Sequence, residues 1–296
     1  MLEYDLLQFI FDIVRIVDPR DKSIIRNLTK NKYELNTINH CYDFWLKDKI
    51  CDNCIAMRSI RLEKSIAKVE MEGDKVFLII ASPYEYKGKI MAIELVKDIT
   101  DTNIFINIKN KKEQDVDYKS IIEELNKAII TDELTDIYNK RYVLEHLPYD
   151  IQNNLSNNKF TSIVMLDIDY FKKINDSYGH IIGDKVLKSL AEILKNQIRS
   201  NNDYVARFGG EEFLLVFNEI DIEALYDVCN RIRIFIENKI FYIDGYEINF
   251  TVSMGGAVLK EKSFKDLNDI LDFADKLLYK AKEDGRNICY VDEYKN

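Results

Sequence analysis

Apolar and polar positions change rhythm several times along the chain. Residues 2–17 are apolar enough to predict a short helix, and mixed short elements follow. The runs 76–81 and 89–96 are rich in strand formers, with Pro83, Glu85, Lys87 and Gly88 between them as hairpin punctuation. Together these predict a small α/β domain. Residues 107–117 are polar and charged without apolar periodicity, as a connector should be. Ile122, Leu125 and Ile129 then recur at three and four. That spacing suits a two-stranded helical seam or an ordinary amphipathic helix.

Beyond Thr131 the alternation becomes regular. Residues 162–168 predict a buried strand, and residues 183–198 a helix with Val186, Leu187, Leu190, Ala191 and Leu194 on one face. Tyr204 to Phe208 and Phe213 to Phe217 flank Gly209-Gly210, a pair suited to a tight hairpin turn with positive φ. A helix around Leu225, Val228, Ile232 and Phe235 and strands within 248–259 come next. Leu267, Ile270, Leu271, Ala274, Leu277, Leu278 and Ala281 form the clearest 3.6-residue stripe, and residues 288–291 a last strand. This order predicts an α+β fold, a mixed or antiparallel sheet covered by helices.

The 296 residues suggest two domains and a linker, and 47% hydrophobic with 31% charged residues describe a globular chain. A formal charge of −9 argues against broad nucleic-acid binding, which needs a basic face. It leaves room for a nucleotide carried with metal ions. No apolar run approaches the roughly 18–20 residues that span a bilayer, so the expectation is a cytoplasmic protein with no membrane partner. Five cysteines, unevenly spaced, do not suggest a disulfide framework.

Chemistry gathers at the Gly-Gly turn and at the end of the 162–168 strand. Adjacent Glu211 and Glu212 repel each other at a bare turn and invite a compensating cation. Asp167 and Asp169 close an apolar strand, where alternation sends both to one side of the sheet. Mg²⁺ takes carboxylate and carbonyl oxygens and completes its shell with water and substrate phosphates. If the two tips lie side by side, Asp167 and Glu211 could hold one or two such ions and clamp a phosphoryl transfer.

With Phe171-Lys172-Lys173-Ile174-Asn175-Asp176 and Tyr178-Gly179-His180-Ile181-Ile182-Gly183-Asp184 added, the sequence resembles the GGDEF family of diguanylate cyclases over about residues 131–292. Asp132-Glu133-Leu134-Thr135-Asp136-Ile137-Tyr138-Asn139-Lys140-Arg141 looks like the family's entry signature, with Asp136 where a glycine is usual. Gly209-Gly210-Glu211-Glu212-Phe213 is a form of the signature motif. Ser253-Met254-Gly255, Ala274-Asp275, Tyr279-Lys280-Ala281-Lys282 and Gly285-Arg286-Asn287 match later blocks. The resemblance implies a palm-like sheet, as in nucleotidyl cyclases, that condenses two GTP into cyclic di-GMP across a homodimer. It implies Mg²⁺, or Mn²⁺, on Asp167, the Ile168 carbonyl and Glu211. Glu211, Glu212 and Lys172 would be catalytic. Lys172, Lys282 and Arg286 would contact phosphates, while Phe171, Gly209 and Gly210 would shape the pocket and His180 lie near the substrate.

Asn175 and Asp184 match the residues that read guanine. A carboxylate accepts from both the ring N–H and the exocyclic amine, and adenine offers no donor at N1. One departure concerns the family's product-inhibition motif Arg-x-x-Asp: Asp203 is in place, but Ser200 stands at the arginine position and Arg199 is one residue out of register. Weak feedback binding is the expectation. A catalytically idle GGDEF module that binds GTP or cyclic di-GMP is the other reading, and intact Asp167, Glu211 and Glu212 argue against it.

Residues 1–102 resemble a PAS-type sensor, chiefly in the strands that end at Lys97-Asp98-Ile99-Thr100, with a helical linker over 103–131 and the cyclase domain over 132–296. The sensed ligand is unknown. His40-Cys41 with Cys51-x-x-Cys54 supplies four soft or borderline ligands. They are readable as a Zn²⁺ or iron site, as a thiol switch, or as cysteines buried around Trp45 without a ligand.

Overall fold

A computed structural model describes residues 2–29, 39–45, 50–102, 118–199, 203–260 and 266–295. The chain divides into two compact units, Met1–Ile129 and Ile130–Asn296. Among the described residues no helix is long and apolar enough to cross a membrane. The predicted connector, 107–117, lies outside the described residues.

The first unit contains α1 (Leu2–Ile10), β1 (Ile13–Asp18), β2 (Ser23–Asn27), α2 (Ile55–Arg61), β3 (Ile66–Glu72), β4 (Lys75–Tyr86), β5 (Lys89–Asp98) and most of α3 (Tyr118–Ile130). Its sheet runs β2-β1-β5-β4-β3, antiparallel throughout. The helix expected over 2–17 therefore stops at Ile10. The Ile13-Val14-Arg15-Ile16-Val17 run is mostly β-branched, which favours a strand. Its one charge is answered across the ladder, where Arg15 faces Glu94 of β5 and donates from Nε at 2.8 Å. The expected hairpin exists with longer strands; Lys87 and Gly88 turn it, both at positive φ. Ile13, Val17, Trp45, Ile55, Phe77, Ile79 and Val96 share the core. On α3, Ile122 and Ile129 are half-buried and Leu125 is exposed.

The second unit contains β6 (Tyr138–Asn139), α4 (Lys140–Ser156), β7 (Thr161–Ile168), α5 (Phe171–Tyr178), α6 (His180–Gln197), β8 (Tyr204–Gly209), β9 (Glu212–Asn218) and α7 (Ile222–Glu237). The small hairpin β10 (Phe241–Ile243) and β11 (Tyr246–Ile248), then β12 (Val252–Leu259), α8 (Leu267–Glu283) and β13 (Cys289–Glu293) complete it. The main sheet runs β13-β12-β7-β9-β8-β6. Its outer pairs are parallel and its inner pairs antiparallel, a mixed sheet of α+β type.

Alternation along β7 decides which side chains meet which helices. Val164, Leu166 and Ile168 join Val186, Leu190 and Leu194 of α6 and Leu225 and Ile232 of α7 in one core. The other face of the sheet receives α8. At Gly255 of β12 a side chain would collide with the backbone at Ala274 and Leu278, so glycine is what lets α8 lie against the strand. That close approach sets up the site, because Lys282 follows Leu278 by about one helical turn.

Candidate functional site

Strand pairing brings the acidic residues to one sheet edge. Asp167, near the end of β7, pairs with Glu212 on one side and Ser253 on the other. Glu211 precedes Glu212 at the β8–β9 turn, where Gly210 takes φ +47°. Arg207 secures this turn: Nε donates to the Gly210 carbonyl at 2.9 Å, and Nη1 to Asp132 at 3.2 Å. Asp132 therefore ties the start of the unit to the glycine pair. Asp136, in the same opening segment, sits at φ +57°, the left-handed region that favours glycine.

Asp167 is only 5% exposed. Its Oδ2 lies 2.8 Å from Lys282 Nζ, the contact that the Gly255 approach permits. Its carboxyl is pushed up to about 6: burial raises it most, Lys282 works against the rise, and the charges of Glu211 and Glu212 add to it. Lys282 answers Asp167, while Glu211 and Glu212 add further negative charge beside it that a divalent cation could offset. The donors are all hard oxygens, and with the Ile168 carbonyl they fit Mg²⁺ or Mn²⁺ in chemistry. Among the described residues, however, no three acidic, His or Cys side chains converge as a closed metal cage.

A second cluster forms where α5 meets α6. A side chain at Gly183 would strike the Asn175 amide and come within 3.3 Å of the Phe171 ring, so glycine keeps Phe171 and Asn175 against the start of α6. Asp184 follows Gly183 and is exposed, as are Lys172 and His180. Arg286 stands 4.5 Å from the Tyr170 ring centroid, on a residue with Lys173 4.3 Å away.

Two contributors had a weak signal in the sequence. Asp169, the second acid closing β7, orients the turn. It accepts from Thr251 Oγ1 and Ser253 Oγ, each at 2.7 Å, and from the Asn287 backbone N–H at 3.0 Å. It therefore joins the β7 end, β12 and the segment that carries Arg286. Tyr170, at φ +57°, opens α5 and supplies the ring for Arg286. The Asp-x-Asp spacing was visible; the division of labour between its two acids was not, because the second lies past the strand end.

Of the cysteine readings, the metal one needs correction, while Cys41 and Cys54 do lie buried in the core with Trp45. Among the described residues no group of His, Cys, Asp or Glu is placed to hold a metal, so neither a Zn²⁺ nor an iron site appears at His40, Cys41, Cys51 and Cys54. His40 stacks on Tyr42 and lies 3.6 Å from Asp43, while Cys41, Cys51 and Cys54 line a cavity that His40 does not. Arg199 donates to Asp203 at 2.7 Å, and Ser200 lies outside the described residues.

The family model for the diguanylate cyclase GGDEF domain matches residues 129–288, and the chain belongs to that family. Diguanylate cyclase A of Treponema denticola is 40% identical over 168 residues, covering 55% of this chain and 44% of its own. The probable diguanylate cyclase DgcT of Escherichia coli is 36% identical over 167 residues, covering 56% and 36%. The match thus spans less than half the length of these relatives. The solved structure of diguanylate cyclase SiaD from Pseudomonas aeruginosa, in complex with its activator SiaC, superposes with a TM-score of 0.53 at 28% identity, covering 63% of this chain and 70% of that one. The GGDEF domain of DgcB from Caulobacter crescentus, in complex with c-di-GMP, gives 0.51 at 27% identity, covering 55% and 95%.

Proposed function

We propose that the chain is a diguanylate cyclase that condenses two GTP into cyclic di-GMP and releases two pyrophosphates. The observation that carries this reading is the cluster of carboxylates at the strand ends, where Asp167 pairs with Lys282 and feels the charges of Glu211 and Glu212. In each of two transfers a ribose 3′-oxygen attacks the α-phosphorus of the other nucleotide and the bond to pyrophosphate breaks. Glu211 accepts the hydroxyl proton, and Glu212 helps orient that hydroxyl. A divalent cation held by Asp167, the Ile168 carbonyl and Glu211 would polarise the phosphate. Lys282, once Asp167 has another cation to face, is free to meet phosphate oxygens together with Lys172 and Arg286.

Asn175 and Asp184 read guanine, with Phe171 and the glycine turn as walls and His180 at the rim. Each chain carries one half of the reacting pair, so the working form is a homodimer. Residues 1–102 serve as a PAS-like sensor, a reading supported by the five-stranded antiparallel sheet with α2 packed on it. Residues 103–131 link it to the cyclase domain, and use of GTP suits a cytoplasmic setting.

Incubating the full chain with GTP, ATP and Mg²⁺ and identifying products by mass spectrometry tests the reading. Cyclic di-GMP from GTP alone is expected, lost in Glu211→Gln. Absence of product at high protein concentration would return the idle, ligand-binding module to first place.

A further inference from the structure

We propose that Arg233, Glu237 and Asn287 are positioning residues that hold Arg286 beside the end of β7, where its guanidinium meets the triphosphate of GTP. The role of Arg286 rests on the cyclase reading, and the clamp adds residues of α7 to that site. Because nucleotide binding is measured apart from turnover, the two fail separately.

The chain leaves α8 through three successive residues at positive φ: Gly285 at +121°, Arg286 at +65° and Asn287 at +52°. The Arg286 backbone N–H donates back to the Ala281 carbonyl at 3.0 Å, which closes the helix end. Glycine takes such a conformation freely, but arginine does not. Two side-chain-bearing residues in a row there persist only where their surroundings hold them. What holds them also aims Arg286.

Asn287 is held from two sides. Its backbone N–H donates to Asp169 Oδ2 at 3.0 Å, and Asp169, itself buried, is fixed by Thr251 and Ser253. Its side chain is held by α7: Nδ2 donates to Glu237 Oε1 at 2.7 Å, and Oδ1 accepts from Arg233 Nη1 at 3.0 Å. Arg233 Nη1 also donates to Glu237 Oε2 at 2.9 Å, so the amide closes a ring with an ion pair one helical turn apart. Asn230 steadies Arg233 in turn, its Oδ1 accepting from Nε at 3.1 Å and from Nη2 at 2.9 Å. Such a ring calls for an amide at position 287, with one atom to donate to a carboxylate and another to accept from a guanidinium.

The grip on Asn287 fixes its neighbour. The Arg286 guanidinium carbon stands 4.5 Å from the Tyr170 ring centroid, and Nη1 lies 3.4 Å from the Tyr170 hydroxyl. Tyr170 directly follows Asp169, so the acid that holds the Asn287 backbone also carries the ring on which Arg286 rests. Both lie just past Asp167, which brings the guanidinium to the same strand end. A cation preset there costs little to order when a triphosphate arrives, whereas one on a loose turn has to be ordered by the ligand. Loss of the clamp is therefore felt through Arg286.

The test is calorimetry on the full chain with Mg²⁺ and a GTP analogue whose α,β-bridging oxygen is a methylene, which blocks release of pyrophosphate. Asn287→Gly suits the positive φ and keeps the N–H that Asp169 accepts, so it removes the ring alone. It should weaken the analogue about fivefold or more, and add nothing in an Arg286→Ala background. Glu237 is exposed, so its variants decide if Asn287→Gly fails to fold. Glu237→Leu should repeat the loss, and Glu237→Gln, which still offers an oxygen to Asn287 Nδ2, should recover most of it. No binding of the analogue to the wild type, unchanged affinity in Asn287→Gly and Glu237→Leu, or a loss that adds in full to that of Arg286→Ala overturns the proposal. If the wild type binds the analogue but forms no cyclic di-GMP from GTP, the cyclase reading falls while the same affinities still judge the clamp.

Discussion

Replacing Asp167 by asparagine should stabilise the metal-free protein at pH 8 while removing product formation. The carboxyl is pushed up to about 6 in the folded chain. An ordinary aspartate titrates near 3.9, so the difference is about two units, or at most about 3 kcal/mol at 1.36 kcal/mol per unit. The folded state holds this proton more tightly than the unfolded one. Its contribution is therefore fully present below about pH 4 and is lost as pH rises through about 6. Asparagine stays neutral and avoids that loss. The pull of Lys282 is already contained in that net shift, and the Lys282 side chain, 30% exposed, can be solvated by water once its anion is gone. The gain is therefore at most about 3 kcal/mol, or up to about 6–12 °C for a unit of this size.

Urea unfolding in EDTA, followed by far-UV circular dichroism, measures this gain. The chain has a single tryptophan, Trp45, in the first unit, so the Trp45 fluorescence midpoint should not move. At pH 5, midway between the unfolded and folded titrations, about half of the gain should remain, and below about pH 4 it should vanish. Mg²⁺ should stabilise the wild type at pH 8, lose that effect below about pH 6 as protons compete for the carboxylate, and leave the variant unaffected. A variant less stable than wild type at pH 8 without metal would refute the reasoning. It would mean that the Asp167–Lys282 pair outweighs the burial of the charge.

Two glycines should separate pocket from scaffold. Gly183→Ala displaces the Asn175 side chain and should raise KM for GTP at least severalfold with little change in Tm, whereas Gly255→Ala meets backbone of α8 and should cost about 1–3 kcal/mol. Asp136→Gly relieves a left-handed residue and should stabilise the second unit by about 0.5–1 kcal/mol in the same urea assay, or less if the Asp136 side chain tolerates that conformation well. Calorimetry with cyclic di-GMP should show weak binding at the Asp203 surface, where Arg199 is engaged with Asp203; tight stoichiometric binding abolished by Asp203→Ala would contradict this.

The second unit was legible because its elements follow single rules. The β7 run, the α8 stripe and the Gly209-Gly210 hairpin each have one period and one environment, and each appears as expected within a few residues. The first unit resisted because β1 carries an internal arginine. A charge at Arg15 reads as the polar side of a helix until Glu94, far along the chain, is known to face it. The site shows the same limit. Asp167, Glu211 and Asn175 could be picked out by type and position, but nothing local separates Asp167 from Asp169. Their roles diverge because Ser253 and Thr251, brought in by β12, bind one acid, and Lys282, brought in by α8, binds the other.

Each unit gathers charged side chains from distant parts of the chain. In the second unit Asp167, Glu211 and Glu212 meet at the strand ends beside the Gly209-Gly210 turn, an arrangement that suits a divalent cation. In the first, Arg15, Lys22, Lys68, Glu94 and three cysteines line a cavity of about 20 Å³. The polarity of a buried site is fixed by residues distant in sequence, but its size is fixed by packing. Sequence motifs report the first of these when a family shares it. The second needs the fold, which is why Gly209-Gly210-Glu211-Glu212 could be read directly while Cys41, Cys51 and Cys54 left a metal site, a thiol switch and cysteines buried around Trp45 all open.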